Sequence, residues 1–189
     1  MYLSDTAIRE ARETGHIVIT PWREACVNPH SYDVHLARTL SEYVEVALDC
    51  AAAHRVIDYE IPDDGYVLYP GRLYLGVLQE YIHCYNHVPR LCGKSSVGRL
   101  GMVPHVAAGE ADLGFAGHMT LEIIVQLPLR VYAGMPVGQL TFHTVHGEVA
   151  SPYGAARGSK YSQPNGYEEH PMPVPSRMYL NRHEDGSWK

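Results

Sequence analysis

DDGYVLYPGRLYLGVLQEYIHCYNHVPRLCG, running from Asp63 to Gly93, decides the fold class. Turn signals recur through it at Asp64-Gly65, Pro70-Gly71, Gly76, Pro89 and Gly93. Between them sit short runs such as Tyr66-Val67-Leu68-Tyr69 and Leu73-Tyr74-Leu75. Such spacing predicts an all-β sandwich or barrel, because alternating βαβ units would need a helical stretch between strands.

The flanking sequence extends this pattern. Met119–Leu127 predicts the clearest strand, with Leu121, Ile123, Val125 and Leu127 on one face and Thr120, Glu122, Ile124 and Gln126 on the other. Val137–His143 predicts another after a turn at Gly134. Upstream, Ile17-Val18-Ile19 reads as a strand stopped by Pro21, and Ser31–Leu36 alternates. Met1–Asp5 opens a short helix: Ser4 or Asp5 can cap it, Ile8 and Ala11 give it an apolar stripe, and Gly15 can end it. The segment Ser95–Gly101 is the only interior short helix expected. Past Ser151 the chain turns to Gly, Pro, Ser and Tyr with little periodicity. The organisation expected is one β domain over residues 1–150 and a closing arm over 151–189.

Composition agrees. Gly (17), Pro (13) and Tyr (14) are plentiful and charged residues modest at 19%, which suits turns and strands. A net charge of -6 argues against a partner in nucleic acid, which selects a basic face. It does not exclude an anionic small substrate. Cys26, Cys50, Cys84 and Cys92 form no CxxC pair, and no apolar run is long enough to span a membrane. Free thiols in a cytoplasmic setting are the expectation.

Three constellations could carry chemistry. Gly93-Lys94-Ser95-Ser96 looks like the end of a phosphate-binding P-loop, but Val88 stands where that loop needs its first glycine. What remains is a turn with a cation, two hydroxyls and backbone N–H groups that suits phosphate oxygens, or is simply solvated. His83-Cys84-Tyr85-Asn86-His87 has metal-ligand types; in an extended segment, though, His83 and His87 stand too far apart for one ion, and no second cluster completes a site. The zinc deaminase signature, HxE followed by PCxxC, is absent. Third, Glu122 is a carboxylate inside an apolar strand. Such a group costs several kcal/mol unless it is paired, protonated or facing a cavity, and the pattern alone slightly favours a solvated second face.

The stretch Ser95-Ser96-x-x-Arg99-Leu100-Gly101, followed by Ala108-Gly109-x-x-Asp112-x-Gly114-Phe115-x-Gly117-x-x-x-Leu121-Glu122, resembles the core motif of the dCTP deaminases. Trimeric dUTPases share much of it. Further collinear matches run nearly the whole length. They are Leu3-Ser4-Asp5-x-x-Ile8, Asn28-Pro29-x-Ser31-Tyr32-Asp33-Val34-x-Leu36, Leu68–Gly71, Gly134-Met135-x-x-Gly138-Gln139-Leu140, Pro152-Tyr153, Gly158–Tyr161 and Pro175-Ser176-Arg177.

The resemblance implies a mainly β, distorted dUTPase-like barrel with a short N-terminal helix. It also implies a homotrimer with active sites at subunit interfaces, Mg²⁺ bound through the nucleotide triphosphate, no zinc, and a C-terminal arm over the nucleotide. Carried onto matching positions, Glu122 is the catalytic carboxylate, assisted by Ser95 and Arg99. Ala108 offers backbone groups to the base and Asp112 meets the deoxyribose. Lys94, Ser96, Tyr153 and Lys160 hold phosphates, and Gln163 closes the site from the arm. Water would add to cytosine C4, one carboxylate relaying its proton, and ammonia would leave.

The leading expectation is therefore deamination of dCTP to dUTP. The alternatives are a bifunctional enzyme that continues to dUMP, suggested by Gly109 where other members carry His, and a deaminase of dCMP or a 5-substituted cytosine nucleotide. A plain dUTPase and an inactive nucleotide-binding regulator complete the set. Departures from the family pattern cluster around the base loop and arm. They include Glu110-Ala111 before Asp112, Cys92 for an acidic residue, Ala133 for proline, a short Ile123–Leu129 segment, Pro164 where a Gln is usual, and an extra stretch around Tyr167–Pro173.

Overall fold

The helix forms where its capping residues place it. In the computed structural model, which describes residues 1–163 and 166–188, α1 spans Asp5–Glu13. The Ser4 hydroxyl accepts the Ala7 N–H, Asp5 sits in the first turn and Arg12 in the last. Ile8 and Ala11 are its buried stripe, and Gly15 turns the chain out at φ +76°.

Twelve strands and one further short α-helix follow. They are β1 (Ile17–Thr20), β2 (Val27–Asn28), β3 (Ser31–His35), β4 (Thr39–Tyr43), β5 (Val56–Glu60), β6 (Tyr66–Leu68), β7 (Tyr74–Cys84) and β8 (His87–Gly93). Then come α2 (Ser95–Gly98), β9 (Met102–Val103), β10 (Ala116–Val125), β11 (Leu129–Val131) and β12 (Pro136–Thr144). The chain is mainly β with few helices. Beyond Ser151 the described residues hold no strand, only single 3₁₀ turns at Ala155–Arg157 and Met178–Asn181.

The strands form a six-stranded sheet, a four-stranded sheet in the order β2-β3-β12-β8, and a β11-β6 pair. In the larger sheet β7 is central. Its eleven residues are long enough for β1 to pair beside Tyr81–Cys84 and β4 beside Leu75 on one edge, while β10 takes the other. Among the described residues the sheets do not close into the expected barrel. The chain leaves one sheet at Tyr85-Asn86 and enters the other at His87, so two sheets face each other over a shared core. That core includes Ile8, Tyr32, Leu36, Leu78, Leu121, Ile123, Leu140 and Phe142, all at most 1% exposed.

Three local expectations change. Gly76 is not a turn but the interior of β7, buried against β10. A Cβ there would lie 2.7 Å from Ile123 Cδ1 and 3.1 Å from Leu36 Cδ1, so the glycine admits two core side chains. The interior helix ends at Gly98 because Leu100 and Gly101 continue as tight turns onto Val97 and Gly98. Leu127 does not join the buried face: β10 ends at Val125, Gln126 bonds to Gly101, and Leu127 is 67% exposed.

Gly76→Val should therefore lower stability by about 1–3 kcal/mol through overpacking. Urea unfolding followed by fluorescence measures it, and an unchanged midpoint would refute the packing account.

Candidate active site

Glu122 lies near the middle of β10, opposite Leu75. Leu121, Ile123 and Val125 point into the core and are at most 4% exposed. Side chains alternate across a strand, so Glu122 must point out of the core, into a cleft of about 660 Å³. Its Oε2 accepts the Val106 N–H at 3.3 Å. That contact ties the carboxylate to the Pro104–Gly109 loop, whose Ala108 also lines the cleft.

The loop is anchored on β8. Leu91 N–H donates to Gly109 O at 2.6 Å, and Ala111 N–H to Pro89 O at 3.0 Å. Gly109 has no room for a side chain: a Cβ there would lie 2.6 Å from Leu91 O and 2.8 Å from His105 Nε2. Asp112 follows on a turn closed by Phe115 N–H to Asp112 O, with Gly114 at φ +94°. Leu113 O in that turn accepts the Tyr153 N–H, so the start of the arm is fixed beside Asp112. Burial pushes the Tyr153 phenol up, and the Asp112 charge adds to it.

The arm then runs along the cleft. Tyr161 N–H donates to the Tyr153 hydroxyl, Gln163 N–H to Ala116 O, and Gln163 Oε1 accepts from the His118 N–H. Lys160 lines the cleft with its ammonium on Asn181 Oδ1. Thus Glu122, Ala108, Asp112, Tyr153, Lys160 and Gln163 share one cavity. Lys94, Ser95, Ser96 and Arg99 do not line it. Ser95, Ser96 and Arg99 are exposed on or just after α2, and Lys94 is paired with Asp33 at 2.6 Å. Pro164 lies outside the described residues.

Sequence reading missed several cleft residues. Tyr43 and Leu48 come from β4 and the loop after it, His118 and Thr120 from β10, and Val174 and Ser176 from the arm. Among these, Thr120 shared the Glu122 face in the alternation, Ser176 lay in a family match, and His118 stood out as an imidazole in an apolar strand. His83 and His87 fall on different sheets, and among the described residues no three His, Cys, Asp or Glu side chains gather as a metal site.

A family model for dCTP deaminase-like proteins matches residues 2–145. The chain belongs to that family. It is 46% identical over 134 residues to the "dCTP deaminase, dUMP-forming" of Leptospira biflexa, covering 71% of this chain and 77% of that protein. It is 37% identical over 179 residues to the protein of the same name in Cytophaga hutchinsonii, covering 95% and 97%. Among solved structures, a 2'-deoxycytidine 5'-triphosphate deaminase from Agrobacterium tumefaciens shares the fold. Its TM-score is 0.62 at 22% identity, over 77% of this chain and 48% of that one.

Gly109→Ala should displace His105 or the Leu91 carbonyl and cost about 1–3 kcal/mol. Thermal unfolding checks this, and an unchanged midpoint would mean that the loop gives way freely.

Proposed function

We propose that the protein deaminates dCTP and hydrolyses the resulting dUTP in the same cleft, giving dUMP, pyrophosphate and ammonia. The observation that carries the reading is Glu122, held at the cleft wall beside the base loop. Water adds to C4 of cytosine and N3 takes a proton. Glu122 receives the proton from water and passes it on, and ammonia leaves with the 4-amino nitrogen. The Val106 amide holds one carboxylate oxygen, leaving Oε1 for the water, and the loop can offer backbone groups to the base.

Gly109 and the names of the relatives, dUMP-forming dCTP deaminases, favour continuation to dUMP over release of dUTP. In that second step water attacks the α-phosphorus and pyrophosphate departs, with Asp112 assisting. This revises the leading expectation from sequence, which stopped at dUTP. Retention of Ser95, Arg99 and Glu122 speaks against a plain dUTPase or an inactive regulator. Ala111 and Glu110 at the cleft leave dCMP and 5-substituted cytosines as competing substrates in the product assay.

Among the described residues that line the cleft, Lys160 is the one lysine or arginine, beside three carboxylates, Glu110, Asp112 and Glu122. A triphosphate needs more positive charge than that. We take the missing groups to be Lys94, Ser95, Ser96 and Arg99 from a second copy in a homotrimer, with Tyr153 and Lys160 closing from the arm. Magnesium would ride on the phosphates, where it keeps most of its waters, rather than on protein ligands. No described helix is long and apolar enough to cross a membrane.

Glu122→Gln should lower ammonia release from dCTP by about 10²–10⁴-fold while the protein still folds. Full activity in that variant would remove Glu122 from the chemistry. With wild type and Mg²⁺, dCTP should yield dUMP and pyrophosphate in step with ammonia; accumulation of dUTP would return the reading to simple deamination. Light scattering should give three times 21.1 kDa, and a monomer mass with full activity would contradict the shared site.

A further inference from the structure

The stretch around Tyr167–Pro173, extra relative to the family pattern, is docked. Glu168 N–H donates to His118 Nε2 at 3.0 Å, and Val174 N–H donates to Thr120 Oγ1 at 2.9 Å. Pro171 and Pro173 are buried, and the Tyr167 ring lies 5.7 Å from that of His118. The two anchoring side chains stand two residues apart on β10, and both line the cleft, as does Val174.

His118 itself is 3% exposed. Its Nδ1 lies 3.1 Å from Leu78 O, a group that can only accept. Nδ1 therefore carries the proton and Nε2 is the acceptor that holds Glu168. A second proton on Nε2 would face the Glu168 N–H with another donor, and that bond cannot form.

We propose that His118 is a positioning residue whose neutral form latches the Tyr167–Val174 stretch along the cleft, and that its protonation releases the stretch and weakens nucleotide binding. The part concerning nucleotide rests on the function proposed above; the latch does not. The groups facing the imidazole are the Glu80 carboxylate of β7, the Glu168 carboxylate of the arm, and the Tyr81 and Tyr167 rings. Burial outweighs the two carboxylates and holds His118 below the usual histidine range. Unfolded or undocked, the histidine takes up a proton near the usual 6.5, while docked it resists, so docking is complete above that value and weakens as pH falls below it.

Hydrogen exchange on the nucleotide-free full chain tests the latch, with rates corrected for intrinsic pH dependence, at about pH 7.5 and 5.5. Wild type should protect the Glu168 and Val174 amides at the higher pH and show that protection reduced by up to about tenfold at the lower. His118→Gln keeps an acceptor without a titrating proton, so its protection should persist at both. His118→Phe has no acceptor and should leave Glu168 unprotected throughout. In turnover at the higher pH, His118→Phe should raise KM for dCTP roughly fivefold, the weight of one lost hydrogen bond, with a smaller change in kcat, and Gln should restore it. Equal protection of wild type at both pH values would overturn the latch. So would loss of protection in His118→Gln over the same window. A pH-dependent latch in a wild type that turns over no cytosine or uracil nucleotide would instead overturn the reading of the cleft.

Discussion

The alternation of side chains along β10 is the constraint on which the site depends. Leu121, Ile123 and Val125 are locked in the core, so the residues between them have one direction left. A slip of one residue against β7 would bury Glu122 and expose three apolar side chains. Burying an unpaired carboxylate costs several kcal/mol, and losing the burial of each branched side chain about 1.5–3 kcal/mol more. Register and the placement of Glu122 are thus one fact. The core does not merely support the site; it aims the carboxylate.

The surroundings of Glu122 are built from chain segments that β10 organises. On one side the Pro104–Gly109 loop reaches it through the Val106 amide. Along the rest of the strand the arm satisfies groups that β7 leaves free, through Ala116 O, the His118 N–H and Thr120 Oγ1. Gly117 permits this approach, since a Cβ there would lie 2.9 Å from Gln163 Oε1. The same strand therefore presents the Glu122 carboxylate to the cleft and receives the arm that runs along it. Among the described residues, one chain's cleft holds a single lysine or arginine, Lys160. The α2 turn carries Lys94 and Arg99 away from their own cleft, which suits delivery to another.

Legibility in the sequence followed how local each signal was. β10 and α1 were readable because alternation and capping are decided within ten residues. β4 and β5 were not, because β5 is largely exposed and offers no apolar period. Gly76 misled for a physical reason: without a side chain it serves a turn or a tight core equally well, and only Leu36 and Ile123 decide between them. Turn spacing left sandwich and barrel open; the barrel implied by the family resemblance became two facing sheets and a separate strand pair, a question of which edges meet, which spacing does not encode. At the site, the motif supplied Glu122, Asp112 and the arm residues. His118 needed a partner fifty residues away, and Tyr43 entered only where the end of β4 meets the arm, its hydroxyl accepting the Ser176 N–H.

In the proposed trimer, Glu122 of one chain works with Ser95 and Arg99 of another. Subunit mixing tests it most directly. Glu122→Gln and Arg99→Ala, each nearly inactive alone, are unfolded together, refolded and assayed for ammonia release from dCTP. Random assembly into trimers would pair an intact Glu122 with an intact neighbouring Arg99 at about a quarter of the sites, and activity should return to about that fraction of wild type. If the mixture stays as inactive as its components, while remixed wild-type chains recover, the shared site is wrong.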